Sequence, residues 1–289
     1  FSSRRRHTRY PLVTGVQTCA LPILGLLENI QHGQFRFRPL FAEGPHPPIL
    51  GTNSIAVADF NNDHSWDILI GSLQAKGNDK DSLPQIHFTA TDFDSPIRLL
   101  KQSSLFKQPA KVIPVDWNND SLVDVLASTP EGIEISLNQG DGQLSSTTLA
   151  SSPQTEGGLA NLSLGDLDAD GWLDAVAVLD GKPTLFSPKP NSNRHLTYRI
   201  KGISDPNGGG RNNQYAVGST VELFGPFGYQ ARVIEDDSVH FGLGTNEAYY
   251  LRNIFVNGLT QGIIDPKPNH ILEEKQVLIG SCPFLYGWN

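Results

Sequence analysis

An acidic motif that occurs three times constrains this chain more than any other feature of its sequence. Each copy has an apolar run, then the pattern D-x-[DN]-x-D-x-x-x-D, then a second apolar run. The copies are SIAVADFNNDHSWDILIGS (54–72), KVIPVDWNNDSLVDVLAST (111–129) and ANLSLGDLDADGWLDAVAV (160–178). Their first aspartates follow one another at spacings of 57 and 50 residues, and are Asp59, Asp116 and Asp166. A period of about 40–50 residues is typical of repeat architectures that use one β-sheet per repeat, such as propeller blades.

The residues around each acidic loop predict strands. IAVADF and VIPVDW are short β-rich runs, as are DILIG and DVLAS, so each unit is strand, acidic loop, strand. Further strands are predicted from QIHFTATDF, PIRLL and GIEISLNQGDGQLSSTTLA, in which NQGDG is a turn signal. The chain shows no convincing amphipathic helix, so we predict an all-β fold.

The acidic loops have the chemistry of a cation site. Carboxylates at alternate positions of a turning loop converge, and they repel one another unless a cation lies among them. Oxygen ligands without His or Cys favour Ca²⁺ over zinc or copper. Gly171 allows the sharp turn, and the carbonyl of Trp172 is a further candidate ligand. The predicted ligands are Asp59, Asn61, Asp63, Asp67, Asp116, Asn118, Asp120, Asp124, Asp166, Asp168, Asp170 and Asp174.

The sequence of the loops allows two other interpretations. An EF-hand requires a glutamate at position 12, where this chain has Ile70, Ala127 and Ala177, and it requires flanking helices. Hairpin turns capped by Asp and Asn remain an alternative, although capping alone gives no reason for the acid at the ninth position. The third loop has four carboxylates and a glycine, whereas the others have three and a stiffer turn, so we expect it to bind Ca²⁺ most tightly. His64 is expected to be a solvated loop side chain.

These loops resemble the FG-GAP/VCBS repeats of integrin α-subunit propellers and of many bacterial extracellular proteins. In that family the loop lies between two strands of a blade and holds structural Ca²⁺. The resemblance covers residues 24–190, and LLENIQHGQFRFRPL (26–40) looks like the outer part of a preceding blade. The resemblance implies a partial FG-GAP/VCBS β-propeller of which three to four blades lie in this chain. Complete propellers of the family usually have seven blades, so it also implies further blades upstream.

A second resemblance covers the C-terminal region, which we assign to a β-rich domain at residues 191–277. The segments HLTYRIKG, VGSTVELF, QARVI and HFGLG are similar to the ASPIC/UnbV domain of the cartilage acidic protein-like family. The chain departs from that pattern at VNG (256–258), where a Trp-Pro dipeptide commonly precedes the glycine. HFGLG (240–244) is expected to be a structural turn or bulge rather than a catalytic site.

The two ends of the chain are expected not to belong to these domains. Residues 2–23 resemble translated sequencing-adapter DNA, so residues 1–23 are treated as an artefact. Residues 278–289 read as the start of a truncated further segment.

The chain has 22 basic and 30 acidic residues, and four of the arginines lie in residues 1–23, which leaves a net charge of −12 for the remainder. Such an acidic balance disfavours nucleic-acid binding, and no apolar run after residue 27 is long enough to span a membrane. Of the two cysteines, Cys19 lies in residues 1–23, so Cys282 alone remains and provides no disulfide framework.

The sequence therefore favours a non-enzymatic, calcium-binding scaffold in an extracellular, cell-surface or periplasmic location. We expect it to bind a protein or a glycan on the propeller face. Two alternatives stay open: a calcium-assisted polysaccharide-acting enzyme, and a structural module of a larger secreted protein. Oxygen-only loops of this kind suit millimolar Ca²⁺ better than cytosolic levels.

Overall fold

Regular structure in the described part of the chain is entirely β. The computed structural model describes residues 25–29, 34–39, 52–72, 85–88, 98–100, 111–129, 132–140, 143–151, 161–179, 181–203 and 213–277. These residues form 20 strands. No helix in these ranges is long and apolar enough to cross a membrane. Residues 1–23, Cys282 and the segment 278–289 lie outside the described residues.

The described residues between 25 and 186 form four antiparallel sheets in chain order. A hairpin comes first and is followed by sheets of four, four and three strands, each with neighbouring strands adjacent in sequence. Their strands are β1 (Gly25–Asn29), β2 (Phe35–Pro39), β3 (Thr52–Ala58), β4 (Asp67–Ser72), β5 (Gln85–Phe88), β6 (Arg98–Leu100), β7 (Lys111–Val115), β8 (Asp124–Thr129), β9 (Gly132–Asn138), β10 (Leu144–Ser151), β11 (Leu162–Gly165), β12 (Asp174–Leu179) and β13 (Lys182–Phe186). The predicted strand–loop–strand units are confirmed, because the acidic loops join β3 to β4, β7 to β8 and β11 to β12.

Successive sheets share their cores. One apolar cluster contains Phe60 and Leu69 of the first repeat together with Val125 of the second. The next contains Leu126 and Ile133 of the second repeat with residues of β11 and β12 of the third. Each repeat thus buries its apolar side chains against its neighbour, as stacked repeats do. Closure of these sheets into a complete propeller is not detected among the described residues.

The C-terminal region forms two further sheets around a core of its own. Its strands are β14 (Arg194–Lys201), β15 (Thr220–Gly225), β16 (Gly228–Val233), β17 (Val239–Gly244), β18 (Tyr250–Ile254), β19 (Thr260–Ile264) and β20 (His270–Lys275). One sheet has the order β17-β14-β20, with β14 and β20 parallel, and the other has the antiparallel order β16-β15-β18-β19. Tyr198, Phe241, Leu223 and Leu251 lie in the shared core. We call residues 191–277 the C-terminal module.

The HFGLG segment is a strand rather than a turn. It lies in β17, and its pairing with β14 shifts register between Gly242 and Gly244, which is the bulge that the glycines permit. Phe241 and Leu243 are fully buried in the module core. Because strand side chains alternate between faces, residues 240, 242 and 244 face away from this core.

Candidate metal centre

The three acidic loops share one backbone conformation. The fourth residues of the loops are Asn62, Asn119 and Ala169, with φ values of 57°, 55° and 61°. The sixth residues are His64, Ser121 and Gly171, with φ values of 70°, 76° and 86°. The sharp turn predicted at Gly171 is confirmed, and the other two loops make the same turn with non-glycine residues. Asn adopts this left-handed conformation at lower cost than other non-glycine residues.

Backbone N–H groups inside each loop donate hydrogen bonds to the aspartates at its first and fifth positions. The first aspartate accepts the N–H of the sixth residue, at 2.9 Å for Asp59, 2.8 Å for Asp116 and 3.1 Å for Asp166. The fifth aspartate accepts the N–H two residues later, with distances of 2.9, 2.9 and 2.8 Å for Asp63, Asp120 and Asp170. These bonds hold the carboxylates on the inner side of the turn.

The aspartate at the ninth position of each loop has a structural role. Asp67, Asp124 and Asp174 are buried, and each accepts the N–H of the loop's second residue at 2.8–3.0 Å. Asp124 also accepts the N–H of Asn138 at 2.7 Å, and Asp174 accepts the Ser187 hydroxyl at 2.5 Å. Capping therefore gives a reason for an acid at this position, contrary to the expectation from the sequence. Whether these three residues are also ligands stays a prediction.

The third loop differs from the others at its third position. Asn61 and Asn118 donate their side-chain N–H to the fifth aspartate, at 3.1 and 2.8 Å. The third loop has Asp168 there, and a carboxylate cannot donate. Ligand oxygens of Asp166, Asp168 and Asp170 all lie within 4.8 Å of one another. One further oxygen, Asp166 Oδ1, is buried and has no hydrogen-bond partner among the described residues.

A divalent cation fits this group of three carboxylates. An unpartnered buried carboxylate oxygen is costly, and a cation would satisfy it. Burial and the nearby charges of Asp168 and Asp166 raise the pKa of Asp170, which is the direction expected for carboxylates crowded together without a counter-ion. An all-oxygen set of this kind favours Ca²⁺ or Mg²⁺. Asp166, Asp168 and Asp170 are the residues that would hold the ion.

The second loop is covered by the C-terminal module. Gly244 N–H donates to Asn119 O at 2.8 Å, and the His240 ring contacts Asn119 Oδ1 at 2.7 Å. A Cβ placed on Gly242 would lie 1.9 Å from Asp116 Oδ2, so the β17 backbone lies directly against that carboxylate. Asn193 donates to the carbonyl oxygen of Asn118 at 2.9 Å.

Burial dominates the electrostatics of this covered loop. Burial, and then the charges of Asp120 and Asp124, raise the pKa of Asp116 well above its ordinary value, while the charge of Arg232 opposes the rise. Burial raises the pKa of Asp124 to about 7. Burial also lowers the pKa of His240 to about 3, so its ring is neutral at physiological pH.

A polar cleft lies beside the third loop. It has a volume of about 380 Å³ and lies between Asp166 and Asp170 on one side and His195, Asn193 and Asn269 on the other. The His195 ring lies over Gly171, where a Cβ would come within 1.8 Å of it. Burial lowers the pKa of His195 against the raising influence of Asp166 and Asp170. The carboxylate group is thus reached from an open, hydrogen-bonding surface.

Comparison with known protein families supports the repeat assignment. Residues 116–177 match an FG-GAP-like repeat. The FG-GAP-like match begins at Asp116, the first aspartate of the second loop, and includes the whole third loop, so the two loops and the strands between them form one such unit. FG-GAP repeats often bind Ca²⁺ and are typical of β-propeller binding scaffolds. No ASPIC/UnbV domain is found. No curated protein matches the chain.

Sequence reasoning missed the residues that join the loops to other parts of the molecule. The sequence predicts Asn138 only as part of a turn, yet its buried amide donates to Phe60 O at 2.7 Å and Val123 O at 3.0 Å. The sequence predicts only a turn or bulge at His240 and Gly242, and it gives no role to Arg232. A lone buried asparagine or a glycine in a strand has no motif that would reveal its distant partner.

Proposed function

We propose that this chain is a calcium-stabilised, extracellular or cell-surface β scaffold that binds a protein or a glycan without catalysing a reaction. The observation that carries the proposal is the third acidic loop. Three carboxylates converge there inside an FG-GAP-like repeat, and one buried oxygen has no partner among the described residues. The cleft beside the loop supports ligand binding next to the ion, because amide and imidazole groups line it.

The finer architecture belongs to the same proposal. We infer that residues 24–190 are part of a β-propeller of which three to four blades lie in this chain. We also infer that the C-terminal module is an ASPIC/UnbV-like domain. Support comes from the successive four-, four- and three-stranded sheets and from the separate two-sheet core of the module.

Thermal unfolding of the full chain tests the calcium proposal. A ligand that binds only the folded state stabilises it by about 2.7 kcal/mol at a hundredfold excess over its dissociation constant. We therefore expect millimolar Ca²⁺ to raise the melting temperature by several degrees relative to EDTA. The double variant Asp168→Ala, Asp170→Ala should lose most of this rise.

A charge-matched control separates site loss from general charge effects. Asp236 and Asp237 are exposed and lie in a turn of the C-terminal module, so the double variant Asp236→Ala, Asp237→Ala should keep the calcium response. A melting temperature that is the same in Ca²⁺ and EDTA would contradict the proposal.

A further inference from the structure

We propose that copies of this chain associate end to end, with the third repeat of one copy packed against the first repeat of the next. The inference comes from a difference in burial between equivalent positions of the three repeats. It concerns the packing of the sheets, so it does not depend on calcium binding.

The second repeat shows that a repeat has two different apolar faces. Because strand side chains alternate, neighbouring residues of one strand belong to opposite faces of the sheet. Val112 of β7 packs with the first repeat, whereas Val115 of the same strand packs with the third. In β8, Val125 packs with the first repeat and its neighbour Leu126 packs with the third. Each interface between consecutive repeats therefore joins two unlike faces.

The first repeat exposes the face that the other two repeats bury. Equivalent positions are those at the same distance from the first aspartate of each acidic loop. Ile55 is 50% exposed, whereas Val112 and Leu162 at the same position are 5% and 1% exposed. Trp66 is exposed as well, whereas Val123 at the same position is buried. We call this surface the N-terminal end face, and it consists of Ile55, Val57 and Trp66.

The third repeat exposes the opposite face. Leu167 is 63% exposed, whereas Phe60 and Trp117 at the same position of the earlier repeats are 1% and 7% exposed. Leu185 is exposed on the third strand of its sheet, whereas Ile135 at the matching position of the second repeat is buried. We call this surface the C-terminal end face, and it consists of Leu167, Val178 and Leu185.

The two end faces are complementary because they are the two sides of an interface that occurs twice within the chain. In both internal interfaces the residue at the second position of the acidic loop packs into the core shared with the following repeat, and it is Phe60 or Trp117. Leu167 has this position on the C-terminal end face. Ile55 has the position of Val112, which shares a core with Phe60. A second copy of the chain thus offers the kind of surface that covers each end face, and the apolar area removed from water favours the contact.

An interface between two unlike faces does not stop at two chains. Each added copy leaves one end face free at either end of the assembly, so growth continues unless the copies close into a ring. A dimer in which one end face paired with itself would instead stop at two chains. The number of chains therefore reports which faces meet.

Two blocked variants test this pairing in the full chain. Ile55→Lys with Val57→Lys places charge on the N-terminal end face, and Leu167→Lys with Leu185→Lys places charge on the C-terminal end face. In analytical ultracentrifugation each variant alone should sediment as a single chain. An equal mixture should give a complex of twice that mass, because each variant keeps the face that the other has lost. The unmodified chain should have a mean mass above one chain that rises with concentration.

A matched control separates this pairing from general stickiness. Ile264 is an exposed apolar residue of the C-terminal module that belongs to neither end face, so Ile264→Lys should associate as the unmodified chain does. Formation of the mixed complex also shows that both blocked variants are folded. Self-association of either blocked variant alone, or a mixture that gives no complex, would overturn the proposal. An unmodified chain that stays monomeric at every concentration would overturn it too, and would leave repeats outside this chain as the occupants of both faces.

Discussion

At the fourth position of each acidic loop, the backbone is left-handed and the three copies meet this requirement with different residues. Asn62 and Asn119 suit the conformation, because a short polar side chain is tolerated there. Ala169 at φ 61° has a Cβ and no polar group to compensate. The third loop, which has the densest negative charge, therefore also carries a strained residue at its exposed tip.

Replacing Ala169 by asparagine should stabilise the protein. The left-handed conformation costs an ordinary L-residue about 1–2 kcal/mol, so we expect Ala169→Asn to raise the free energy of unfolding by about 0.5–1 kcal/mol. Urea denaturation in a fixed Ca²⁺ concentration measures the change. Ala169→Val, with a β-branched side chain, should shift the midpoint in the opposite direction. An asparagine variant less stable than the parent would show that the turn is not strained.

Gly171 shows how far a single residue can be understood from sequence. The turn requirement was predictable, because glycine stands inside a D-x-D-x-D loop. Its second requirement was not, because the His195 ring that excludes a Cβ lies 24 residues away on β14. A local pattern reports local conformation, whereas contact with another strand depends on the assembled fold.

At the scale of elements, β17 is the strand that couples the C-terminal module to the repeats. One face of it is buried in the module core through Phe241 and Leu243. The other lies on the second loop through His240, Gly242 and Gly244. Because Gly242 and Gly244 have no side chain, the second loop can approach the β17 backbone on this face.

Asn119 is the loop residue whose removal should loosen this contact. Its side chain bonds to His240 and donates to Gly171 O at 3.2 Å, so Asn119→Gly removes both bonds and keeps a residue that tolerates φ 55°. Each bond contributes about 1 kcal/mol, which corresponds to at least roughly a tenfold faster hydrogen exchange at the Gly244 amide.

The first loop provides the matched control for that variant. Asn62 has the same position and nearly the same φ, and its side chain is exposed, so Asn62→Gly should leave Gly244 exchange unchanged. Equal acceleration by both glycines would mean that the effect comes from the loop backbone rather than from the contact with β17.

Strand prediction succeeded where the pattern was local. The runs on either side of each acidic loop lie on strands, as alternation and the turn residues predicted. For HFGLG the predicted bulge is confirmed and the predicted turn is wrong, because two glycines in five residues are typical of a turn whereas this segment pairs as a strand. Its strand is stable because β14 pairs with it and the second loop covers it.

At the scale of the whole molecule, neighbouring repeats are joined by buried polar groups as well as by shared apolar cores. Asn138, at the end of β9, is the clearest case. Its amide donates to Phe60 O in the first loop and Val123 O in the second, and its N–H donates to Asp124. This buried side chain therefore joins two repeats by hydrogen bonds that are shielded from solvent.

Removing this amide should destabilise the described repeats together. Asn138→Ala leaves two buried carbonyl groups without their donor, and each unsatisfied group costs about 1–3 kcal/mol. We expect a loss of about 2–4 kcal/mol in the free energy of unfolding, measured by urea denaturation. Asn257→Ala, in an exposed turn, should cost less than about 1 kcal/mol. A loss no larger than that of the control would show that the apolar cores alone hold the repeats together.

The relation between the repeats and the C-terminal module was beyond the reach of the sequence. An all-β class and two regions of different character were predictable from patterns of strands and loops. The contact between Asn119 and His240 joins residues 121 positions apart, and neither belongs to a pattern that names the other. The pairing arises from shape, because a glycine-lined strand fits a loop that presents a carbonyl group and an amide.

The β17 contact also has a mechanical consequence. Tension applied to the C-terminal module would reach the repeats by two routes. One is the covalent chain through residues 187–193, and the other is the set of short bonds from β17 and Asn193 to the second loop. Hydrogen bonds are much weaker than the peptide bonds of the connecting chain, so under tension the bonds of this contact break while the chain stays joined. The molecule should therefore yield at this contact before its sheets begin to separate.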